Sequence, residues 1–380
     1  MVTREFQKVL FERLSEKAPL IQILLGPRQV GKTTAARAIY DRWPGPKSMI
    51  SADLPSPPPA EWIVQHWQQI IRQGPNALFI IDEVQKVPGW NEQIKALFDP
   101  ERGKGTIRLL LLGSSSLFLQ QGLRESLAGR FELINAPHWS YRECREEFGW
   151  DLETYLRFGA YPAAAAFVAD EHRWREYILH SIIEPVLGLD ILGLAPVAKP
   201  ALFRQAFEIA VQYPAQVVSL QKLLGQLQDR GNVTTIKHYL TLFEQAYLLR
   251  CLPKYSGSVI QSRGSSPKII VLNPALTHAY QSQARLSVDP GWYGFVFESV
   301  IGAHLAQTEG ATIAYWREGH DEVDYVLVTP KQTLAIEIKS GLRPASVRGL
   351  TKFSRRYPRA DSVLWDRTRC LEFLETGKLV

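Results

Sequence analysis

A chain of 380 residues exceeds what one ordinary core organises, so two or three domains are expected, and 46% hydrophobic with 22% charged residues excludes a disordered tail. The net charge of +6 and a pI of about 9.1 favour polyanionic partners. Three scattered cysteines, Cys144, Cys251 and Cys370, exclude a local zinc motif or a disulfide framework, and charge in the first six residues with no long apolar run argues against a signal peptide or a membrane span; a soluble, cytoplasmic protein is expected.

From residue 21 to 136 short apolar runs alternate with helical or loop segments, the pattern of a parallel sheet covered on both faces. Strands are predicted at 21–26, 48–53, 77–82, 108–114 and 131–136. The proline-rich stretch that follows Asp53 cannot be helix or central strand, because proline fixes φ and lacks the donor. After Pro137 helical periodicity takes over, and a helical lid is assigned to 138–198. Residues 199–256 read as a winged-helix-like group: a helix at 220–230, a Gly231-Asn232 turn, a helix at 234–249, and an apolar run at 247–252 that would start a wing. Lys237, His238 and Tyr239 interleave charge and aromatic character on its second helix, which is either a recognition helix or only a packing element. Residues 257–380 read as helix (294–307), strands (312–316, 322–328, 333–339), helix (347–357) and strand (362–366).

The segment Gly26-Pro27-Arg28-Gln29-Val30-Gly31-Lys32-Thr33, followed by Thr34, fits GxxxxGK[ST] between a strand and a helix. Its backbone N–H groups and the helix's positive end would meet a triphosphate, Lys32 would reach the β- and γ-phosphates, and the Thr33 hydroxyl would ligate Mg²⁺. The strand at 77–82 delivers Asp82 and Glu83 at its C-terminal end, where ligands bind in such sheets. Asp82 would hold the Mg²⁺ shell, and Glu83 would orient and deprotonate the attacking water. Ser114, with Ser115 behind it, is either the polar residue between that water and the γ-phosphate or part of a turn. Arg130 is either an arginine finger, acting in cis or from a neighbouring copy in a homo-oligomer, or a surface ion-pair partner.

These motifs, with Gly113-Ser114-Ser115-Ser116, Leu127-Ala128-Gly129-Arg130 and Gly159-Ala160-Tyr161-Pro162, resemble a widespread prokaryotic family of AAA-type P-loop ATPases that carry a C-terminal domain related to restriction endonucleases. The resemblance spans nearly the whole chain and implies a sheet with the phosphate-loop strand central. Leu112 departs from it, since the family usually has threonine there.

Near the other end, Glu337 and Lys339 lie two apart on a strand and so share a face, and Asp324 sits on the preceding strand. Glu298 on the helix before could add a carboxylate, and Glu322 has the same strand parity as Asp324. Acids and a lysine together suit metal-dependent phosphodiester hydrolysis, with Mg²⁺ or Mn²⁺ on Glu298, Asp324 and Glu337. The element order is that of the restriction-endonuclease-like core, although alternation with Ile336 and Ile338 also describes any strand with one wet face. Arg343, Arg348, Lys352, Arg355, Arg356, Arg359, Arg367 and Arg369 crowd the same region. The fold class expected is therefore α/β: a P-loop NTPase parallel sheet at 1–137, the lid, the winged-helix-like middle, and an α/β restriction-endonuclease-like domain at 257–380. The expected function is an ATPase coupled to a metal-dependent nuclease acting on nucleic acid, DNA before RNA. The alternative is an ATP-dependent switch whose nuclease-like fold binds without cutting.

Overall fold

The computed structural model describes residues 3–17, 20–113, 126–193, 195, 197–227, 232–256, 265–341 and 347–379. The chain divides into two compact units, Met1–Pro137 with Gly188–Pro196, and His138–Leu187 with Val197–Val380.

In the first unit, five strands form one sheet: β1 (Ile21–Leu25), β2 (Lys47–Ser51), β3 (Ala77–Asp82), β4 (Ile107–Gly113) and β5 (Phe131–Asn135). Their order is β2-β3-β4-β1-β5, and every pairing is parallel. Residues of β1, β3 and β4 are buried throughout, which is why their sequences are mostly apolar and not alternating, with Gln22, Asp82 and Arg108 as buried polar members. Helix α1 (Glu5–Leu14) buries Phe6, Leu10 and Leu14 at helical spacing, and α2 (Lys32–Arg42) buries Ala35, Ala36 and Ile39. Helices α3 (Glu61–Ile71) and α4 (Trp90–Phe98) contribute Ile63, Trp67, Ile70, Trp90, Ile94 and Phe98 to a core shared with Phe79, Ile81, Leu109 and Leu111. The phosphate-loop strand is internal, and β4 separates it from β3.

In the second unit, α5 (Tyr141–Phe148) starts with a capping box in which Ser140 and Glu143 satisfy each other's backbone N–H groups. Helices α6 (Leu152–Phe158) and α7 (Glu171–Tyr177) follow. Beyond Tyr177 the helical run continues as two wider π-type turns, Ile178–Ile183 and Val186–Ile191.

Next come α8 (Pro200–Ala210), β6 (Gln216–Val217), α9 (Leu220–Gly225), α10 (Val233–Gln245), β7 (Leu249–Leu252) and β8 (Lys268–Val271), the strands ordered β6-β8-β7 and antiparallel. The first predicted helix is shorter than expected because it ends at Gly225; the second stops at Gln245, where the apolar run turns into β7.

Helices α11 (Pro274–His278), α12 (Arg285–Val288) and α13 (Pro290–Leu305) lead to a mixed sheet. It consists of β9 (Thr312–Glu318), β10 (Asp321–Val328), β11 (Thr333–Ile338) and β12 (Asp361–Trp365), ordered β12-β11-β10-β9. Helix α14 (Arg348–Arg356) crosses from β11 to its parallel neighbour β12, and α15 (Arg367–Thr376) completes the chain. Trp316, Val323, Val326, Ala335, Leu350 and Phe353 form the core beneath α14. Among the described residues no helix is long and apolar enough to cross a membrane.

Candidate functional site

The phosphate loop leaves β1 through a position that admits only glycine. A Cβ on Gly26 would stand 2.1 Å from the Ala136 carbonyl oxygen, far inside contact distance. The loop then passes through two left-handed residues, Gln29 at φ 57° and Gly31 at φ 93°, an alternation that turns successive N–H groups to one side. Buried Arg4 braces it from outside, donating to the carbonyls of Val30 (2.9 Å) and Pro137 (3.0 Å).

Lys32 begins α2 and is buried, its Nζ donating to the Gly26 carbonyl at 2.9 Å and the Pro27 carbonyl at 2.6 Å. Burial lowers its pKa to about 8, against the pull of Glu83 and Asp82. Only the ammonium form offers charge to a phosphate. ATP affinity is therefore expected to be insensitive to this group below about pH 8 and to weaken above it, by up to roughly tenfold per pH unit. Titration calorimetry between about pH 7 and 9.5 checks this; a dissociation constant that stays flat would disconnect Lys32 ionisation from binding.

Thr33 Oγ1 donates to Asp82 Oδ2 at 2.8 Å, which brings the two expected Mg²⁺-shell residues together. Asp82 Oδ1 in turn accepts the Glu83 N–H at 3.0 Å. Glu83 itself is left-handed at φ 53°, a costly conformation for a residue with a Cβ, and its Oε2 accepts from Gln85 Nε2 at 2.5 Å. Burial, then the neighbouring Asp82 charge, raises the Glu83 pKa above the usual carboxylate range. The hydroxyl, the two carboxylates, the lysine and the turned backbone make a donor and acceptor set that fits ATP with Mg²⁺. Thr34 is exposed in the first turn of α2.

Two further participants were expected here. Ser114 lies outside the described residues. Arg130 precedes β5, at the end of the sheet opposite the phosphate loop, and pairs through Nε and Nη2 with Asp99 at 2.6 and 2.9 Å. The cis arginine finger is thereby corrected: β1 and β5 run parallel in register from Ile21 and Phe131, so a full strand length separates Arg130 from the loop. Two residues that local patterns did not flag do belong here, Gln85 beside Glu83 and Asp190, which binds Arg28.

The second unit gathers the other expected residues. Asp324 on β10 accepts the Ile338 N–H at 2.8 Å, and Lys339 Nζ donates to Glu337 Oε1 at 2.7 Å. The residue that organises them was missed: Lys268, at the start of β8 and 1% exposed. Its Nζ lies 2.5 Å from Glu298, 3.1 Å from Glu322 and 3.5 Å from Asp324. Burial alone would push this ammonium down, yet Glu298, Asp324 and Glu322 hold it well above its ordinary value. Burial and then Asp324 raise Glu298 strongly and Glu337 to about 7.

Of the expected metal set of Glu298, Asp324 and Glu337, the first two face the Lys268 ammonium. Among the described residues no group of three or more His, Cys, Asp or Glu is disposed to hold a metal ion, and an internal ammonium already supplies the positive charge that these acids need. Glu322 reaches the same lysine in spite of a register shift of β10 against β9 between Val323 and Val326.

The basic C-terminal face is also more balanced than its sequence suggests. Arg348 and Lys352 face Asp321, Lys352 and Arg356 face Glu318, Arg367 meets Glu153, and Arg369 meets Glu372. Arg355 and Arg359 are exposed, and Arg343 lies outside the described residues. On α10, Lys237 and His238 are exposed but Tyr239 is not. It is 2% exposed and stands edge-on to Phe203, so its expected surface role is corrected to core packing.

Comparison with known proteins matches three successive stretches of the chain. Residues 18–145 match the family model of an AAA domain, 149–287 a domain of unknown function (DUF8612), and 293–376 a domain of unknown function (DUF4143). An uncharacterized protein of Mycobacterium tuberculosis is 27% identical over 359 residues, covering 92% of this chain and 77% of its own. One from Haemophilus influenzae is 26% identical over 301 residues, covering 73% and 71%. Among solved structures, a Walker-type ATPase of Pyrococcus abyssi aligns at TM-score 0.47 and 14% identity over 74% of this chain and 96% of that one. The Thermotoga maritima RuvB Holliday junction branch migration motor aligns at 0.35 and 15%, over 67% and 90%. The AAA-domain match falls on the stretch that carries the phosphate loop, Asp82 and Glu83, and it identifies the first unit as an ATPase of the AAA, P-loop type.

Proposed function

We propose that this protein is an ATP-driven switch whose second unit engages nucleic acid, DNA in the first instance, without cutting it in the state described here. The observation that carries the first half is the Lys32, Thr33, Asp82 and Glu83 arrangement at the C-terminal ends of β1 and β3. Bound Mg²⁺ would neutralise charge developing on the phosphates. Lys32 binds and orients them, Thr33 and Asp82 hold the ion's shell, and Glu83, oriented by Gln85, takes a proton from the attacking water.

The reading of the second half rests on element order. The succession α8-β6-α9-α10-β7-β8 with strands ordered β6-β8-β7 supports a winged-helix-like reading, and the order from α13 to β12 supports a restriction-endonuclease-like one. Cutting is the competing reading, and one observation favours it: Glu337 Oε2 is buried without a hydrogen-bond partner beside Asp324. Lys268 outweighs it, because a divalent ion would have to enter a cluster that an ammonium already serves.

Plasmid, single-stranded and branched DNA incubated with the protein, ATP and Mg²⁺ or Mn²⁺ should be bound and remain intact. Cleavage that is lost in Asp324→Ala and Lys339→Ala would replace the switch with a nuclease. For the binding surface, Arg355→Glu combined with Arg359→Glu should weaken DNA affinity and flatten the salt dependence by about 2 in log–log slope. Unchanged affinity and slope in a filter-binding or anisotropy titration would move the footprint to the exposed Lys237 and His238 region.

A further inference from the structure

The phosphate loop contains an arginine at its third position, and the structure shows what holds it. Arg28 Nε donates to Asp190 Oδ2 at 2.6 Å and Nη2 to Oδ1 at 2.7 Å, a bidentate fork. Asp190 is 8% exposed, and it belongs to the short segment Gly188–Pro196, which lies in the first unit although the chain on either side of it is in the second. A guanidinium has five N–H donors, of which the fork engages two. The others remain on a side chain that is about one third exposed, and so reachable by a ligand in the loop. The carbonyl of Pro27, the residue before Arg28, accepts from the Lys32 ammonium at 2.6 Å, so Arg28 stands in the loop beside the group that serves the β- and γ-phosphates.

We infer that Arg28 is a γ-phosphate ligand supplied by the loop itself, and that Asp190 is the positioning residue that aims its guanidinium. This rests on the nucleotide site described above and adds to it the group that distinguishes ATP from ADP. The loop amides and Lys32 serve both nucleotides, whereas a cation on the γ side serves only one. The planar fork matters as well as the charge, because a carboxylate on one edge holds the guanidinium plane and leaves its remaining donors for phosphate.

The test is equilibrium binding of ATP and of ADP, each with Mg²⁺, to the full chain and four variants, together with steady-state hydrolysis. Arg28→Ala should lower the ATP:ADP affinity ratio by about tenfold or more. Arg28→Lys, which keeps the charge and loses the fork, should lower the ratio less. Asp190→Asn should lower it in the same direction, by about three- to tenfold, and reduce kcat more than it raises KM.

If Arg28→Ala weakens both nucleotides by the same factor, Arg28 is a structural part of the loop and the inference fails. If Asp190→Asn binds ATP more tightly than the parent chain, the carboxylate competes with phosphate for Arg28, and the positioning role fails. Lys32→Ala keeps the two readings apart. Unchanged binding of both nucleotides in that variant would overturn the nucleotide site itself, whatever the Arg28 series shows.

Discussion

Replacing Glu83 with glutamine should leave ATP binding close to that of the parent chain while hydrolysis falls by roughly 10²–10⁴-fold, the range for loss of a general base. The substitution preserves shape and the contact with Gln85, and it removes only the group that can accept a proton. Burial beside Asp82 has already made Glu83 a stronger base than a solvated carboxylate, at the cost of a like charge nearby. Relief of that repulsion gives the variant a second signature, nucleotide affinity equal to or above the parent's. Calorimetric affinity and phosphate release measured on the same preparation check both. Parallel loss of binding and turnover would make Glu83 a structural residue that holds the left-handed turn after β3.

Lys268→Met should be the most destabilising single change in the second unit, at about 3–5 kcal/mol, because it leaves buried carboxylates without their cation. The sign with pH follows from the groups that remain. Glu298 and Glu337 already have raised pKa values in the fold, so they oppose folding as pH rises from the unfolded carboxylate range through their folded values. Without Lys268 those values rise further. The stability deficit should therefore be largest near neutral pH and shrink towards about pH 5, as the acids take up protons. Adding Glu298→Gln to Lys268→Met should recover part of the loss. Urea unfolding of both variants at the two pH values measures this. A deficit that does not vary with pH, or a double variant no better than the single, would show lost packing and not lost charge compensation.

The first unit was legible in sequence for a physical reason. Strands buried on both faces are predominantly apolar along their length, so β3 is matched residue for residue and β1 to within one. The phosphate loop and the Asp82-Glu83 pair are local patterns, readable without knowing the fold. What escaped depends on distance along the chain. Asp190 lies 162 residues from Arg28, and Lys268 lies 56 from Asp324, on a strand of the other sheet, β6-β8-β7. No spacing rule links such residues. Arg130 shows a different limit: a motif can mark a residue without saying which end of the sheet it occupies, and only the register of β1 with β5 places it. The partial neutralisation of the basic C-terminal run was not legible because the partners Glu318 and Asp321 sit on a hairpin some thirty residues earlier.

The path of the chain bears on how the ATPase can be dissected. Because Gly188–Pro196 is part of the first unit, a fragment ending at Pro137 carries Lys32, Asp82 and Glu83 but not the Asp190 carboxylate. Its Arg28 would be unpinned, so the catalytic constants of such a fragment would resemble those of Asp190→Asn and understate the full chain. A proteolytic nick between Leu187 and Gly188, with the pieces still associated, would be the milder cut, since it severs the backbone and spares the fork.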